Sequence, residues 1–308
     1  MMLSVTVLTS DDIRFSSGVS DAVHSSEIAK PVTELYKEVT ASFDVKPSLL
    51  FAFPPLLKGE GEGGDVFVAE LDKASGEDVP LFGTMPITNE SEDRMSLVIY
   101  EGKAYESSMA LLAFYGDVKP KFYTVAVTEQ SLQAKCAKIT GAKLNVIDAI
   151  NGIPISKYLE SIGLSTASVV HNMPILIHEK DGSKVFRVAQ KVHDNGSLTI
   201  SGLVPENAEI SFCSIDDRDV VESTGTLLES IAESKSAESR GVLIYACCSR
   251  FWILGPRWRE YLDMAASAIG ARVPWFFVYS GGEVFPSILE NGKVSNHLQN
   301  FSVIVCVL

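Results

Sequence analysis

Apolar residues recur at helical spacing between positions 26 and 43, where Ile28, Leu35, Tyr36, Val39 and Phe43 share one face. Pro31 stands early in that run, and a first-turn proline costs a helix nothing because its N–H would have no partner. The pattern then shortens. Ser48–Phe53 is a brief apolar run of strand character, Gly59–Gly64 is a loop of glycine and glutamate, and Asp65–Ala74 predicts a helix capped by Asp65. Val79–Gly83 reads as a buried strand. Leu97–Tyr100 and Met109–Phe114 read as a hairpin joined through Glu101-Gly102-Lys103.

The middle of the chain is richer in turn signals. Ala134–Ile139 and Leu144–Ile150 predict paired strands across Thr140-Gly141-Ala142, followed by an Asn151-Gly152 turn. Pro154 then opens a helix with Ile155, Tyr158, Leu159 and Ile162 on one face and Gly163 at its end. Ile175–His178, Phe186–Ala189 and Leu198–Ile200 read as strands separated by Asp181-Gly182 and Asn195-Gly196 turns. Thr226–Lys235 reads as a helix.

The last third repeats the order of the first. Val242–Ala246 is an apolar strand, Arg257–Ile269 a helix stopped by Gly270, and Val273–Tyr279 a strand. Gly281-Gly282 reads as a turn, with strands at Ile288–Leu289 and Phe301–Leu308 around Asn291-Gly292-Lys293. Leu49–Phe53 parallels Val242–Ala246, Val79–Gly83 parallels Val273–Phe277, and Glu101-Gly102-Lys103 parallels Asn291-Gly292-Lys293. Strand, helix, Val-Pro strand and Gly-Lys hairpin thus occur twice, which reads as an internal duplication. The fold expected is mixed α/β (α+β): two related strand-rich αβ halves, their mixed sheets flanked by helices. The expected domains are 1–125 and 126–308, the latter with a strand-rich insert over about 126–240 and the second repeat over about 241–308. A ligand site between two such halves is the natural expectation.

Composition narrows the function. The 308 residues carry a net charge of −13 and no long cluster of Lys and Arg, which argues against nucleic acid. The most apolar stretch, Phe301–Leu308, is far too short to span a bilayer, and Met1–Ser10 lacks the positive start of a signal peptide. Five scattered cysteines without an export signal fit reduced thiols and a cytoplasmic location. No CxxC or HxxxH spacing offers a zinc site, and no cofactor is expected.

Several motifs carry candidate chemistry. Gly59–Gly64 spells GxGxxG, but its two glutamates would repel a pyrophosphate, so an acidic surface loop accounts for it better. Cys247-Cys248-Ser249-Arg250 directly follows a buried strand. Cys247 reads either as an activated thiolate or as core, Cys248 as core, and Arg250 as a carboxylate clamp or the partner of a local acid. Tyr279-Ser280-Gly281-Gly282-Glu283-Val284 reads as a strand running into a glycine turn, with Glu283 placed either to bind an amine or to face solvent. His297 precedes the last strand as a base, a ligand contact or an ordinary loop residue; His24, His171, His178 and His193 suggest nothing jointly. The aromatics of Val273–Phe277 and Phe251-Trp252 read as packing, since no basic residues interleave.

In order, Cys247-x-x-Arg250, Leu254-Gly255, Glu260, Val273-Pro274-Trp275-Phe276, Gly282-Glu283-Val284 and His297 resemble the C-terminal part of the FIST family. Pro47–Phe53 with Val79–Gly83 is similar to the family's other half, and Ile150–Pro154 to its strand-turn-helix. Departures fall at Leu298-Gln299-Asn300 (Asn-Gln-Thr in the family), Val284 (Ile), Ser249 (Gly) and Thr84-Met85 (Gly-Gly). The resemblance implies a sensor of small ligands, amino acids foremost, feeding an output domain. With the chain ending on the last sensory strand, a separate output protein is expected as partner, and a homo-oligomer is compatible with the sequence. On this reading Cys247, Arg250, Tyr279, Gly282, Glu283 and His297 line the site, with Arg250 and Glu283 gripping a zwitterion. The alternatives are a cysteine hydrolase with Cys247 as nucleophile, His297 as base and Glu283 as orienter, and a ligand-free scaffold with Arg250 paired internally.

Overall fold

The structure is a computed structural model that describes residues 7–57, 64–76, 78–87, 96–128, 131, 136–164, 173–179, 182–205, 207–234, 240–289 and 291–308. The Gly59–Gly63 part of the GxGxxG stretch, Asp181 and His171 lie outside the described residues.

The first αβ unit runs β1 (Arg14–Val19), α1 (Ala29–Thr40), β2 (Leu49–Phe53), α2 (Gly64–Ser75) and β3 (Leu81–Met85). The hairpin β4 (Leu97–Tyr100)–β5 (Lys103–Glu106) and then β6 (Ala110–Tyr115) complete it. After β7 (Lys121–Val125) the strands β8 (Ala137–Lys143) and β9 (Val146–Ile150), the short β10 (Ile153–Pro154) and α3 (Ile155–Ser161) lead into β11 (Pro174–His178), β12 (Lys184–Val192), β13 (Leu198–Ile200) and β14 (Glu209–Phe212). The second αβ unit follows: α4 (Asp217–Ser234), β15 (Val242–Cys247), α5 (Cys248–Leu254), α6 (Trp258–Ile269), β16 (Trp275–Ser280), β17 (Gly282–Ile288), β18 (Val294–Gln299) and β19 (Val303–Val307).

Topology bears out the duplication. One sheet has the order β1-β6-β2-β3-β17-β18 and the other β16-β15-β19-β7. The quartet β1-β6-β2-β3 therefore matches β7-β19-β15-β16. In each, one parallel pair is joined by a helical crossover, and two antiparallel strands extend it. The match fails at one place. The hairpin β17–β18 crosses to the edge of β3, setting Gly282 against Met85, Glu283 against Thr84 and Val284 against Gly83. Its counterpart β4–β5 forms a two-stranded sheet of its own.

The two sheets face each other and carry helices on their outer sides. Phe51, Phe82, Phe114, Tyr245, Phe285 and Ile304 fill the space between them, with Phe82 and Tyr245 stacked at 5.3 Å between centroids. α1 and α2 cover the first sheet; α4, α5 and α6 cover the second. β15 shows why its sequence is apolar without interruption. Val242, Ile244 and Ala246 face the helices while Leu243 and Tyr245 face the other sheet, so both surfaces of the strand are buried.

Between the units the chain closes on itself. β8 pairs with both β9 and β14, so β8-β9-β13-β12-β11-β14 forms a closed antiparallel barrel. Alternate residues such as Ile175, Ile177, Ile210 and Phe212 fill it, together with Ile155, Tyr158 and Leu159 of α3.

Local readings shift in several places. The Glu101-Gly102 turn, with φ of 48° and 77°, joins β4 to β5, and Met109–Phe114 instead enters the main sheet as β6. Thr140–Ala142 lie inside β8, where the pairing is irregular at Gly141, and the turn comes at Leu144 (φ 55°). α4 starts nine residues before the predicted Thr226, and α5 is an added helix. Gly282 and Glu283 belong to strand β17, and His297 to strand β18. No helix among the described residues is long and apolar enough to cross a membrane.

Gly83 tests the close pairing of β2 and β3. A methyl group there would collide with the Ala52 carbonyl oxygen. Gly83→Ala is expected to cost about 2–3 kcal/mol, a fall of roughly 5–10 °C in melting temperature. An unchanged melting curve would show that the two strands do not approach so closely.

Candidate functional site

The residues singled out from the sequence converge on the C-terminal ends of β15 and β16, but not all with the expected roles. β15 ends at Cys247, whose backbone N–H bonds the Ser302 carbonyl at 2.9 Å, and the chain turns at once into α5. Arg250 in the first turn of α5 is completely buried. Its Nε donates to Tyr261 Oη at 2.6 Å. Nη1 donates to the Ala126 and Phe301 carbonyls. Nη2 donates to the Val220 carbonyl at 3.0 Å, Ser223 Oγ at 2.8 Å and Thr224 Oγ1 at 2.9 Å. All three nitrogens are thus taken by protein oxygens, none of them a carboxylate. The guanidinium lies 5.8 Å from the Tyr261 ring centroid and 5.4 Å from that of Phe301. Arg250 is therefore a structural cation and not the open carboxylate clamp that the sequence suggests.

Glu283 is completely buried as well. It opens β17 between Thr84 of β3 and Gln299 of β18. Oε2 accepts from Ser302 Oγ at 2.9 Å, and Oε1 has no hydrogen-bond partner. The nearby Ser280 hydroxyl donates to the Gly282 carbonyl at 2.7 Å and receives Thr84 Oγ1 at 2.5 Å, and with Ser302 it acts to lower the carboxyl's pKa against the effect of burial. Burial first, then the neighbouring Cys247, pushes the carboxyl well above the usual range, which favours the neutral acid. The reading of Glu283 as a solvated turn residue fails because β17 continues straight across into the other sheet.

Cys247 is buried, and its hydrogen bond with Cys248 together with burial raises its thiol well above the ordinary value. The same hydrogen bond lowers the half-buried Cys248. Tyr279, on the rim, bonds the Trp258 carbonyl at 3.4 Å and packs edge-on against Phe251 at 5.0 Å. Gly282 is buried; a side chain there would press on Met85 Sδ at 3.2 Å and on Leu298. His297 lies two residue pairs along the hairpin from Glu283, opposite Phe285, and shares a 2.9 Å hydrogen bond with Ser295. Glu260 forms an ion pair with Arg257 at 2.7 Å. A hydrolase triad is not assembled: the proposed nucleophile is a buried thiol held protonated, and the proposed base stands apart along the hairpin.

Sequence reasoning missed Tyr261, Ser223, Thr224, Ser280 and Ser302, which are ordinary residues until the fold brings them to Arg250 and Glu283. It noted Leu298-Gln299-Asn300 only as a departure. Gln299 accepts from Phe186 N–H at 2.9 Å and donates to the Lys184 carbonyl at 3.0 Å, extending the hairpin onto β12 of the barrel. Asn300 accepts from Ser201 Oγ at 2.9 Å. Close by, Arg187 of β12 donates to Asp65 at 2.6 Å and to the Leu298 carbonyl at 2.7 Å.

A cleft of about 830 Å³ lies between the two units, bounded by Phe15 and Phe114 on one side and Leu243, Trp275 and Phe276 on the other. It opens at the N-terminal ends of β15 and β16, roughly 16 Å along the strands from Cys247. Space and the motif residues thus occupy opposite ends of one sheet.

Two substitutions separate structure from site chemistry. Arg250→Lys keeps the charge but loses the fork, and is expected to destabilise by about 3 kcal/mol, lowering the melting temperature by roughly 6–12 °C. For Glu283 the raised value means that its contribution to stability is complete below the ordinary carboxylate value of 4.5 and is lost as pH rises toward the folded-state value. Denaturant melts from pH 5 to 7 should therefore show Glu283→Gln gaining on the parent by up to about 1.4 kcal/mol per pH unit; parallel curves would mean an ordinary carboxylate.

Comparison with known proteins places this geometry in a family. The FIST N domain matches residues 2–153 and the FIST C domain residues 155–286. No curated protein matches the chain. A crystal structure of a cyanuric acid hydrolase from A. caulinodans aligns over 96% of this chain and 99% of its own, at 11% identity and a TM-score of 0.22, too low to carry any argument. With both sensory domains matched in order over nearly its whole length, the chain belongs to the FIST family of signal-transduction proteins.

Proposed function

We propose that this FIST protein is a non-enzymatic sensor that takes a small amine-bearing ligand, an amino acid or a similar zwitterion, at Glu283 and signals through a separate partner. One observation carries the reading: Glu283 is a fully buried acid with one carboxyl oxygen lacking a hydrogen bond, on the strand that joins the two halves. A buried polar atom without a partner is costly, and a ligand donor would remove that cost. An ammonium group reaching Oε1 would ionise the acid and form a charge-assisted pair. On this reading the half-buried Cys248 and Tyr279 would flank the ligand, and the buried Cys247 and Gly282 would lie beneath it. His297 lies further along the same hairpin. Arg250 holds the surrounding elements in place and does not touch the ligand.

The strand position supplies a route for the signal. Ionising Glu283 changes a charge on β17, whose partner β18 reaches the barrel through Gln299 and Asn300. The first sheet, the second sheet and the barrel therefore all meet at one titratable group.

A thermal-shift screen of the purified chain against the twenty amino acids and simple amines tests the proposal. Ligand at 100 times Kd should add about 2.7 kcal/mol, a rise of several degrees, and Glu283→Gln should abolish it. A dose-dependent shift that survives Glu283→Gln would move the site to the aromatic cleft; a flat screen would favour the scaffold reading.

A further inference from the structure

A second cluster lies on the barrel, away from the sensory motifs. Cys136 stands immediately before β8, His178 ends β11, and β14 runs between them, paired with β8 on one side and β11 on the other. Inward positions of these strands hold Ala137, Ile177, Ile210 and Phe212, so the alternate residues Cys136, His178 and Ser211 face outward. Cys136 Sγ lies 3.2 Å from His178 Nε2 and 3.4 Å from Ser211 Oγ, and the imidazole nitrogen is 3.5 Å from the same hydroxyl. His178 also walls a cavity of about 210 Å³ together with Pro205, Asn207 and Glu209.

We propose that Cys136 and His178 form a thiol–imidazole site that captures small α,β-unsaturated carbonyl compounds as covalent adducts. The other thiols are less accessible. Cys213, Cys247 and Cys306 are buried and Cys248 is half-buried, whereas Cys136 is exposed. Burial pushes Cys213 up to about 12 and raises Cys306 further, which leaves both inert. In the capture step His178 Nε2 takes the thiol proton. A sulfur lone pair forms the bond to the β-carbon, the C=C π pair moves onto the α-carbon and carbonyl as an enolate, and the imidazolium returns the proton to the α-carbon. Atoms and electrons balance without another reactant. Ser211 steadies the sulfur by hydrogen bonding. The cavity on the far side of His178, lined by that imidazole and not by Cys136, leaves room beside the base for a small acceptor only. The charged groups around the imidazole are Glu179 next in the chain, Lys184 opposite it in β12 and Glu209 opposite it in β14, with Lys138 paired beyond Glu209; Tyr158 lies near the thiol. This site is independent of Glu283 and would report reactive carbonyl compounds even if the amine site were empty.

The test is alkylation of the full-length folded chain by substoichiometric N-ethylmaleimide at pH 7, followed by peptide mass mapping. Cys136 should be labelled about tenfold faster than any other cysteine and about tenfold faster than in the urea-unfolded chain. His178→Gln should remove most of that advantage. The proposal is overturned if Cys248 labels first, if Cys136 reacts no faster folded than unfolded, or if a folded His178→Gln chain keeps the parent rate. The comparison of folded with unfolded parent chain needs no variant, so a failure of His178→Gln to fold does not weaken the test.

Discussion

A buried guanidinium organises the second αβ unit. Arg250 reaches α4 through Val220, Ser223 and Thr224, α6 through Tyr261, the exit of β7 through Ala126 and the β18–β19 turn through Phe301. A charge in that position would be prohibitively expensive without compensation, because moving an ion out of water costs several kcal/mol even after relaxation. Carbonyl and hydroxyl oxygens supply the compensation. Phe301 shows the constraint at work: its backbone takes the left-handed conformation, φ 61°, in the turn whose carbonyl faces Arg250. Arg250 therefore fixes where β19 begins, and with it the position of Ser302 beneath Glu283.

Glu283 then occupies the one point where the internal symmetry is broken. Had β17–β18 stayed with its own unit, as β4–β5 does, this acid would lie on an exposed hairpin and titrate normally. Because the hairpin crosses to β3, the acid is sealed between two sheets, and burial shifts it toward the neutral form. Asn296 locks the crossing, accepting from Leu81 N–H at 2.8 Å and donating to Asp72 at 2.6 Å. Gln299 and Asn300 carry the same hairpin onto the barrel. A group whose charge state depends on a ligand, placed on an element that touches all three bodies, is a physical basis for sensing.

The sequence made much of the frame legible. β13 falls where its alternation places it, and β2, β11 and β15 within a residue of it. Two of the three paired segments of the repeat, β2 with β15 and β3 with β16, occupy equivalent positions in the two sheets, while the Gly-Lys hairpins do not. Polar, solvent-edged segments were less legible. β1 and β7 are sheet-edge strands whose apolar residues form no clear alternating run, and each is drawn into its sheet by pairing with one neighbour. The glycine pair at 281–282 has the composition of a turn, yet Gly282 continues as strand because close approach of Met85 and Leu298 demands a residue without a side chain.

By itself the sequence determined the duplicated αβ plan, the acidic surface and the family, because these depend on local periodicity and on motifs contiguous in the chain. Tertiary structure alone decided the roles of the motif residues. Whether Arg250 meets a ligand or six protein oxygens, and whether Glu283 is a solvated carboxylate or a buried acid, depends on groups 11 to 199 positions away in sequence, such as Tyr261 and Thr84. Desolvation and hydrogen-bond saturation are properties of the surroundings, and those surroundings exist only once the hairpin has crossed between the sheets.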